Sequence, residues 1–269
     1  MVEIETRKFY QGGVEYEFKW VENRHHLPNI AQNFGNKLIK YYNLVCSNVY
    51  PEKLFNSKEI LRCSSFKLKN LDKDGLKKIS LELIKNNYVT LVNDENTPKD
   101  VSKSIVNLVK MTRIWYDIFY YQMKKNPKHG PILQKILELN ENSLSIEIPI
   151  WSSTLESFRT KLIQRTEFSC ITGELFTGHI DLLLYDELDN SIIVADYKPE
   201  NGFLRSLPQV ATYGLFIKKM LKLDKIKCIS FSKDKLWIYD PEIIKKQIPY
   251  YIERFGNPNL IWRYLVKTI

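Results

Sequence analysis

Gly178-His-Ile-Asp-Leu-Leu-Leu-Tyr185, a polar turn from Asp186 to Asn190, and Ser191-Ile-Ile-Val-Ala-Asp-Tyr-Lys198 form the stretch that decides the fold. Two short β-branched and aliphatic runs divided by an Asp/Glu/Asn cluster predict two antiparallel strands and their connecting loop. Strand side chains alternate between faces, so Ile192, Val194, Asp196 and Lys198 share one. A carboxylate and an ammonium therefore emerge together where the apolar row stops. Asp181 interrupts the first run in the same way. A charge inside an otherwise apolar strand costs free energy unless it is paired or binds a metal.

The chemistry that uses such residues is metal-assisted phosphodiester hydrolysis. Magnesium takes oxygen ligands and keeps several waters, so two carboxylates from adjacent strands suffice to anchor it beside a phosphate. Asp181 and Asp196 fit that role. A nearby lysine supplies a positive point charge to position the nucleophile, and Lys198 fits that role. Its mutual attraction with Asp196 keeps both ionised. His179 shares a strand face with Asp181 and reads either as a support for the site or as a partly buried histidine with a local hydrogen bond.

Outward from this stretch, residues 2–20 alternate around Gln11-Gly12-Gly13 and predict a β-hairpin. Adjacent His25 and His26, before Pro28, read as surface or capping residues rather than metal ligands. Helical spacing covers Ile30 to Val45, Leu76 to Ile84 and Val101 to Met123. The lysines between Pro51 and Asp100 read as a solvated face rather than a nucleic-acid track. Trp115, Tyr116, Phe119, Tyr120 and Tyr121 read as core packing rather than a base-stacking stripe. After the linker Asn126-Pro-Lys-His-Gly-Pro131 a short helix runs to Asn140, then a strand from Ser143 to Trp151, with Pro149 hinting at an edge or strand end. Residues 152–165 predict a helix. Beyond Lys198 come a helix from about Leu207 to Leu223 with Pro208 in its first turn, strands at Ile226 to Phe231 and Leu236 to Tyr239, a helix opened by Asp240-Pro-Glu, and a last helix over 260–266.

With 269 residues, the chain suits one large domain or two small ones; 44% hydrophobic and 26% charged residues are ordinary for a globular protein. Lys and Arg number 40 against 31 Asp and Glu, a formal +9 that suits a polyanionic partner. No run of about eighteen apolar residues and no basic-then-apolar leader is present, so we expect a soluble, cytoplasmic protein without membrane association. Cys46, Cys63, Cys170 and Cys228 are scattered without a Cys-x-x-Cys pair, so reduced structural thiols are expected rather than zinc or iron–sulfur ligands.

The order helix, strand, strand, strand, helix, strand, with Gly178-x-x-Asp181 and Asp196-x-Lys198 on the second and third strands, resembles the PD-(D/E)XK nuclease superfamily. Gln209-Val-Ala-Thr-Tyr213 on the following helix matches the Gln-x-x-x-Tyr motif of RecB-type nucleases. Gln209 and Tyr213 lie four apart and share a helix face. The resemblance covers about residues 129–232. It implies an α/β fold with a restriction-endonuclease-like mixed sheet core (αβββαβ) flanked by helices. It implies Asp181 and Asp196 as metal ligands, Lys198 as catalytic lysine, and Gln209 and Tyr213 as contacts to DNA phosphate or supports for that lysine. Glu147 resembles a further carboxylate of the site. His129 and Glu138 are the nearest counterparts of the histidine that RecB-type members place on the first core helix. The gap between Glu147 and Asp181 is longer than usual, so 152–174 reads as an insertion, and the iron–sulfur cysteines of one branch are absent.

The expected organisation is an N-terminal accessory region over 1–125, hairpin and helices, and a nuclease core over 126–269. The expected activity is magnesium- or manganese-dependent hydrolysis of DNA, single-stranded or with free ends, by a RecB-type exonuclease. A structure- or site-specific endonuclease of resolvase or restriction type, and a non-catalytic nucleic-acid-binding module, are the alternatives.

Overall fold

A computed structural model describes residues 2–11, 13–48, 50–68, 72–152, 176–200 and 202–255. The strands β1 (Glu5–Gln11) and β2 (Val14–Trp20) form the expected hairpin. Gln11 pairs with Val14, and Gly13 sits at φ +80°, a conformation that favours glycine. Short helices α1 (Glu22–His25) and α2 (Pro28–Ile30) lead through a π-turn at Ala31–Gly35 into α3 (Asn36–Cys46). Next come α4 (Glu52–Asn56), the two-residue β3 (Leu61–Arg62), α5 (Lys73–Lys85), β4 (Thr90–Asn93) and α6 (Lys103–Met123). The site-bearing half is α7 (His129–Leu139), β5 (Ser143–Ser152), β6 (Phe176–Asp186), β7 (Ser191–Tyr197), α8 (Phe203–Leu221) and β8 (Ile226–Phe231). Strand β9 (Lys235–Tyr239) and α9 (Pro241–Phe255) follow. The helix expected over 152–165, apart from Ser152, the insertion reading, Cys170 and the helix expected over 260–266 lie outside the described residues.

The strands make one mixed nine-stranded sheet in the order β1-β2-β5-β6-β7-β8-β9-β4, with β3 added against β6. Strands β5, β6 and β7 are antiparallel neighbours, whereas β7 and β8 are parallel and α8 is their crossover. Alternation feeds two apolar layers. Ile192 and Val194 of β7 join α3, α5, α8 and α9 on one face, while Ile193, Ala195 and Tyr197 join α6 and α7 on the other. Helices therefore cover both faces, which is why β6 and β7 read as nearly continuous apolar runs.

Residues before 126 are built into this sheet, because β2 pairs with β5, β3 with β6 and β4 with β9. Arg24 of α1 is buried and donates to Leu137 O at 2.8 Å, in the last turn of α7, and to Ser143 O at 2.6 Å, at the start of β5.

Several boundaries and environments differ from the sequence reading. Helix α8 starts at Phe203, so Pro208 lies inside it rather than in its first turn. Phe203, Leu204 and Leu207 bury an apolar face there, and that packing outweighs the hydrogen bond forgone at Leu204 O. His25 is fully buried instead of capping at the surface: Nδ1 lies 2.9 Å from Val21 O and Nε2 3.4 Å from the Tyr42 hydroxyl. On α6 the aromatic stripe is divided, with Trp115 and Phe119 packed in part and Tyr120 and Tyr121 exposed. Pro149 sits within β5 at a place where β2, which pairs with β5 at Ser145 and Ile146, supplies no partner. Among the described residues no helix is long and apolar enough to cross a membrane.

Candidate active site

Sheet register brings the predicted carboxylates into one row. Leu182 pairs with Ala195, which sets Asp181 opposite Asp196 across β6 and β7. Ile146 pairs with Leu182 and Ile148 with Ile180, which sets Glu147 opposite Asp181 across β5 and β6. Glu147 has φ +53°, uncommon for a residue with a side chain, and the alternation of the strand inverts there. Ile146 and Leu182 enter the layer under α7, yet Ile148 and Ile180, two residues along, enter the layer under α8. The carboxylates thus lie where two strands change the face they present.

Each acidic group has a different partner. Asp196, 1% exposed, is ion-paired through Oδ2 with Lys198 Nζ. Asp181 Oδ2 accepts a hydrogen bond from Tyr197 N at 2.9 Å and lies 3.5 Å from His129 Nδ1. Burial pushes Glu147 up to about 8, with repulsion from Asp181 adding to it. Burial likewise pushes Asp196 up to about 6, against the pull of Lys198. Burial works against ionisation of Asp181 as well, but the hydrogen bond from His129 and the charge of Lys198 outweigh it and hold its carboxyl below the usual range. Burial would lower His129, yet Asp181 raises it above the ordinary histidine value.

His129 opens α7 instead of preceding that helix, and Pro131 falls in the first turn, where its missing N–H costs nothing. Glu138, further along α7, accepts from Gln134 Nε2 at 2.9 Å and from Lys135 Nζ at 2.5 Å. It does not join the cleft.

That cleft, about 310 Å³, is lined by Glu147, Asp181, His129, His179, Gln209 and Tyr213 together with Gln11, Tyr16, Arg62, Ser64, Thr177 and Gly178. Gln209 Nε2 donates to the Tyr213 hydroxyl at 2.8 Å, while Gln209 Oε1 is buried without a hydrogen-bond partner among the described residues. Tyr213 is 2% exposed, so its tip meets Gln209 rather than open solvent. Gly178 permits this packing: a Cβ there would stand 2.8 Å from Tyr213 Cε1 and 3.2 Å from Cys63 Sγ. His179 is partly buried, its Nε2 has no hydrogen-bond partner among the described residues, and its ring stacks on Tyr16 with centroids 4.4 Å apart. Burial, with the charge of Arg62 adding, pushes it down to about 4, so it is neutral at physiological pH.

Sequence reading did not single out Tyr16, Gln11, Arg62 or Ser64 for the site. Tyr16 alternates within an ordinary hairpin and Arg62 is one cation in a lysine-rich stretch, so neither carries a local signal.

Oxygen-rich donors with one imidazole suit a hard divalent cation. Among the described residues no three His, Cys, Asp or Glu side chains are gathered tightly enough to enclose an ion. Asp181 and Asp196 instead engage His129 and Lys198. Cys46, Cys63 and Cys228 are free thiols.

No family model matches the chain. No curated protein matches it either. A solved structure described as the crystal structure of SSO0001 aligns over 72% of this chain and 92% of that one, at 14% identity and a TM-score of 0.24. A likeness that low carries no argument about fold or function.

Proposed function

We propose that this chain is a metal-dependent deoxyribonuclease of the PD-(D/E)XK superfamily, RecB-type, and that α7-β5-β6-β7-α8-β8 is its restriction-endonuclease-like core. One observation carries the reading: Glu147, Asp181 and Asp196 stand opposite one another on three adjacent strands, with Lys198 ion-paired to Asp196. Two buried carboxylates and a half-buried third raise one another's cost of ionisation, and a structural role does not require them in one row.

The donor set fits magnesium or manganese. Asp181 and Asp196 would hold the ion, with Glu147 and His129 beside them; when bound, it supplies positive charge to a phosphate oxygen and acidifies water. Lys198 keeps its ammonium charged beside Asp196 and is placed to orient the attacking oxygen. Tyr197 N fixes the Asp181 carboxylate. Burial and the charge of Asp181 favour the protonated form of Glu147, against the pull of His129 and Lys198. Gln209 and Tyr213, bonded to each other on α8, line the cleft that the strand would enter.

Incubating the protein with end-labelled single-stranded, duplex and branched DNA, with magnesium, manganese or chelator, tests this. Metal-dependent shortening from ends supports the exonuclease form. Internal cuts on closed substrates would move the assignment to an endonuclease with the same site, and cleavage that survives chelation would remove it.

A further inference from the structure

We infer that Arg62, from the N-terminal part of the chain, is a substrate-positioning residue that grips a phosphate of the nucleic-acid strand whose scissile bond lies at the carboxylate row. This rests on the proposed nuclease reading and adds to it a contact that the motif-bearing strands and helix do not supply.

The placement follows from pairing. Strands β3 and β7 occupy the same edge of β6, since β5 takes the other along the length of the strand. Leu61 and Arg62 pair with Phe176 and Thr177, whereas β7 begins to pair only at Leu182. Gly178 to Asp181 are left between the two, and Cys63 packs against Gly178. A two-residue strand is too short to add much to the sheet. What it does is set a guanidinium at the wall of the cleft that holds Asp181, Glu147, Gln209 and His179.

Arg62 is exposed, and among the described residues its side chain makes no ion pair and a single hydrogen bond, from Nη2 to Phe55 O at 3.5 Å, at the limit of such a bond. In the adjoining groove, by contrast, the lysines are engaged: Lys19 with Glu17 and Gln134, Lys135 with Glu138. The cleft also holds His179 Nε2, a buried ring nitrogen without a hydrogen-bond partner among the described residues. Buried groups of that kind are costly until something polar reaches them. The uncommitted planar fork of Arg62, lining the same cleft, matches the geometry of phosphate oxygens.

The test is binding of a fluorescent single-stranded oligonucleotide in chelator over a range of salt, followed by steady-state cleavage. For Arg62→Ala we expect affinity to fall about tenfold, as for one charge-assisted hydrogen bond. The slope of log K against log salt should shrink by about 0.7, as for one lost contact to a single strand. KM should rise with kcat nearly unchanged, because the grip is the same in ground and transition states. Arg62→Lys should restore the salt slope and only part of the affinity. Thermal melting of both variants should match the wild type, since the side chain is exposed. An unchanged slope and affinity in Arg62→Ala, with wild-type binding and cleavage intact, overturns this inference alone. A wild type that binds no oligonucleotide overturns it together with the nuclease reading.

Discussion

Gly178 shows how a single residue ties motif to packing. Its missing Cβ lets the Tyr213 ring and Cys63 close over β6, so Gly178→Ala should destabilise the protein by roughly 1–3 kcal/mol, as overpacking does, read as a lower melting temperature. Tyr213→Phe removes a buried hydroxyl that accepts from Gln209, and about 1 kcal/mol of stability should go with it. Unaltered melting would put that hydroxyl in solvent. Asp181, Asp196 and Lys198 were legible because a charge in an apolar strand has few explanations. Glu147 entered only through the family resemblance, and Arg62 not at all. Glu147 depends on an inverted alternation set by its own positive φ, and Arg62 on a pairing between β3 and β6 that joins residues far apart in the chain.

At the scale of elements, β5, β6, β7 and β8 were legible from apolar runs bounded by turn residues, and α7 from its spacing. The start of α8 was not, because Pro208 is a signal for a first turn and only tertiary burial of Phe203 and Leu204 overrides it. The role of α1 was hidden too, since His25 and Arg24 look like loop residues until their partners on α3 and α7 are in place. Burial holds the His25 imidazole down to about 4, below the value of 6.5 for an exposed histidine. The unfolded chain therefore takes up this proton first as pH falls. The stability tied to a neutral His25 is complete above about pH 6.5 and is lost progressively towards pH 4, by up to about 3 kcal/mol. Chemical denaturation between pH 7 and pH 4 should show a steeper loss for the wild type than for His25→Gln. Equal slopes would mean that the imidazole is not held neutral.

For the whole molecule, the sheet is the unit of stability. Strands from residues before 126 pair with β5, β6 and β9, and the two apolar layers draw on helices from both halves. A fragment of residues 126–269 should lack a cooperative melting transition, because β5, β6 and β9 would expose edges and α8 would lose the apolar cover of α3 and α5. A fragment that melts sharply would make the N-terminal part a separable addition. Chemistry and binding should separate in the intact chain. Lys198→Ala should lower turnover on the order of a hundredfold or more while DNA affinity changes little, since its ammonium is already paired with Asp196. The most direct measurement is cleavage of end-labelled single-stranded DNA in magnesium by the wild type, Asp181→Ala and Asp196→Ala, each with its melting curve. The carboxylate row predicts cleavage by the wild type, none in chelator, and none by either folded variant. Full activity in both variants, or a wild type that leaves the DNA intact in magnesium and manganese, would contradict it.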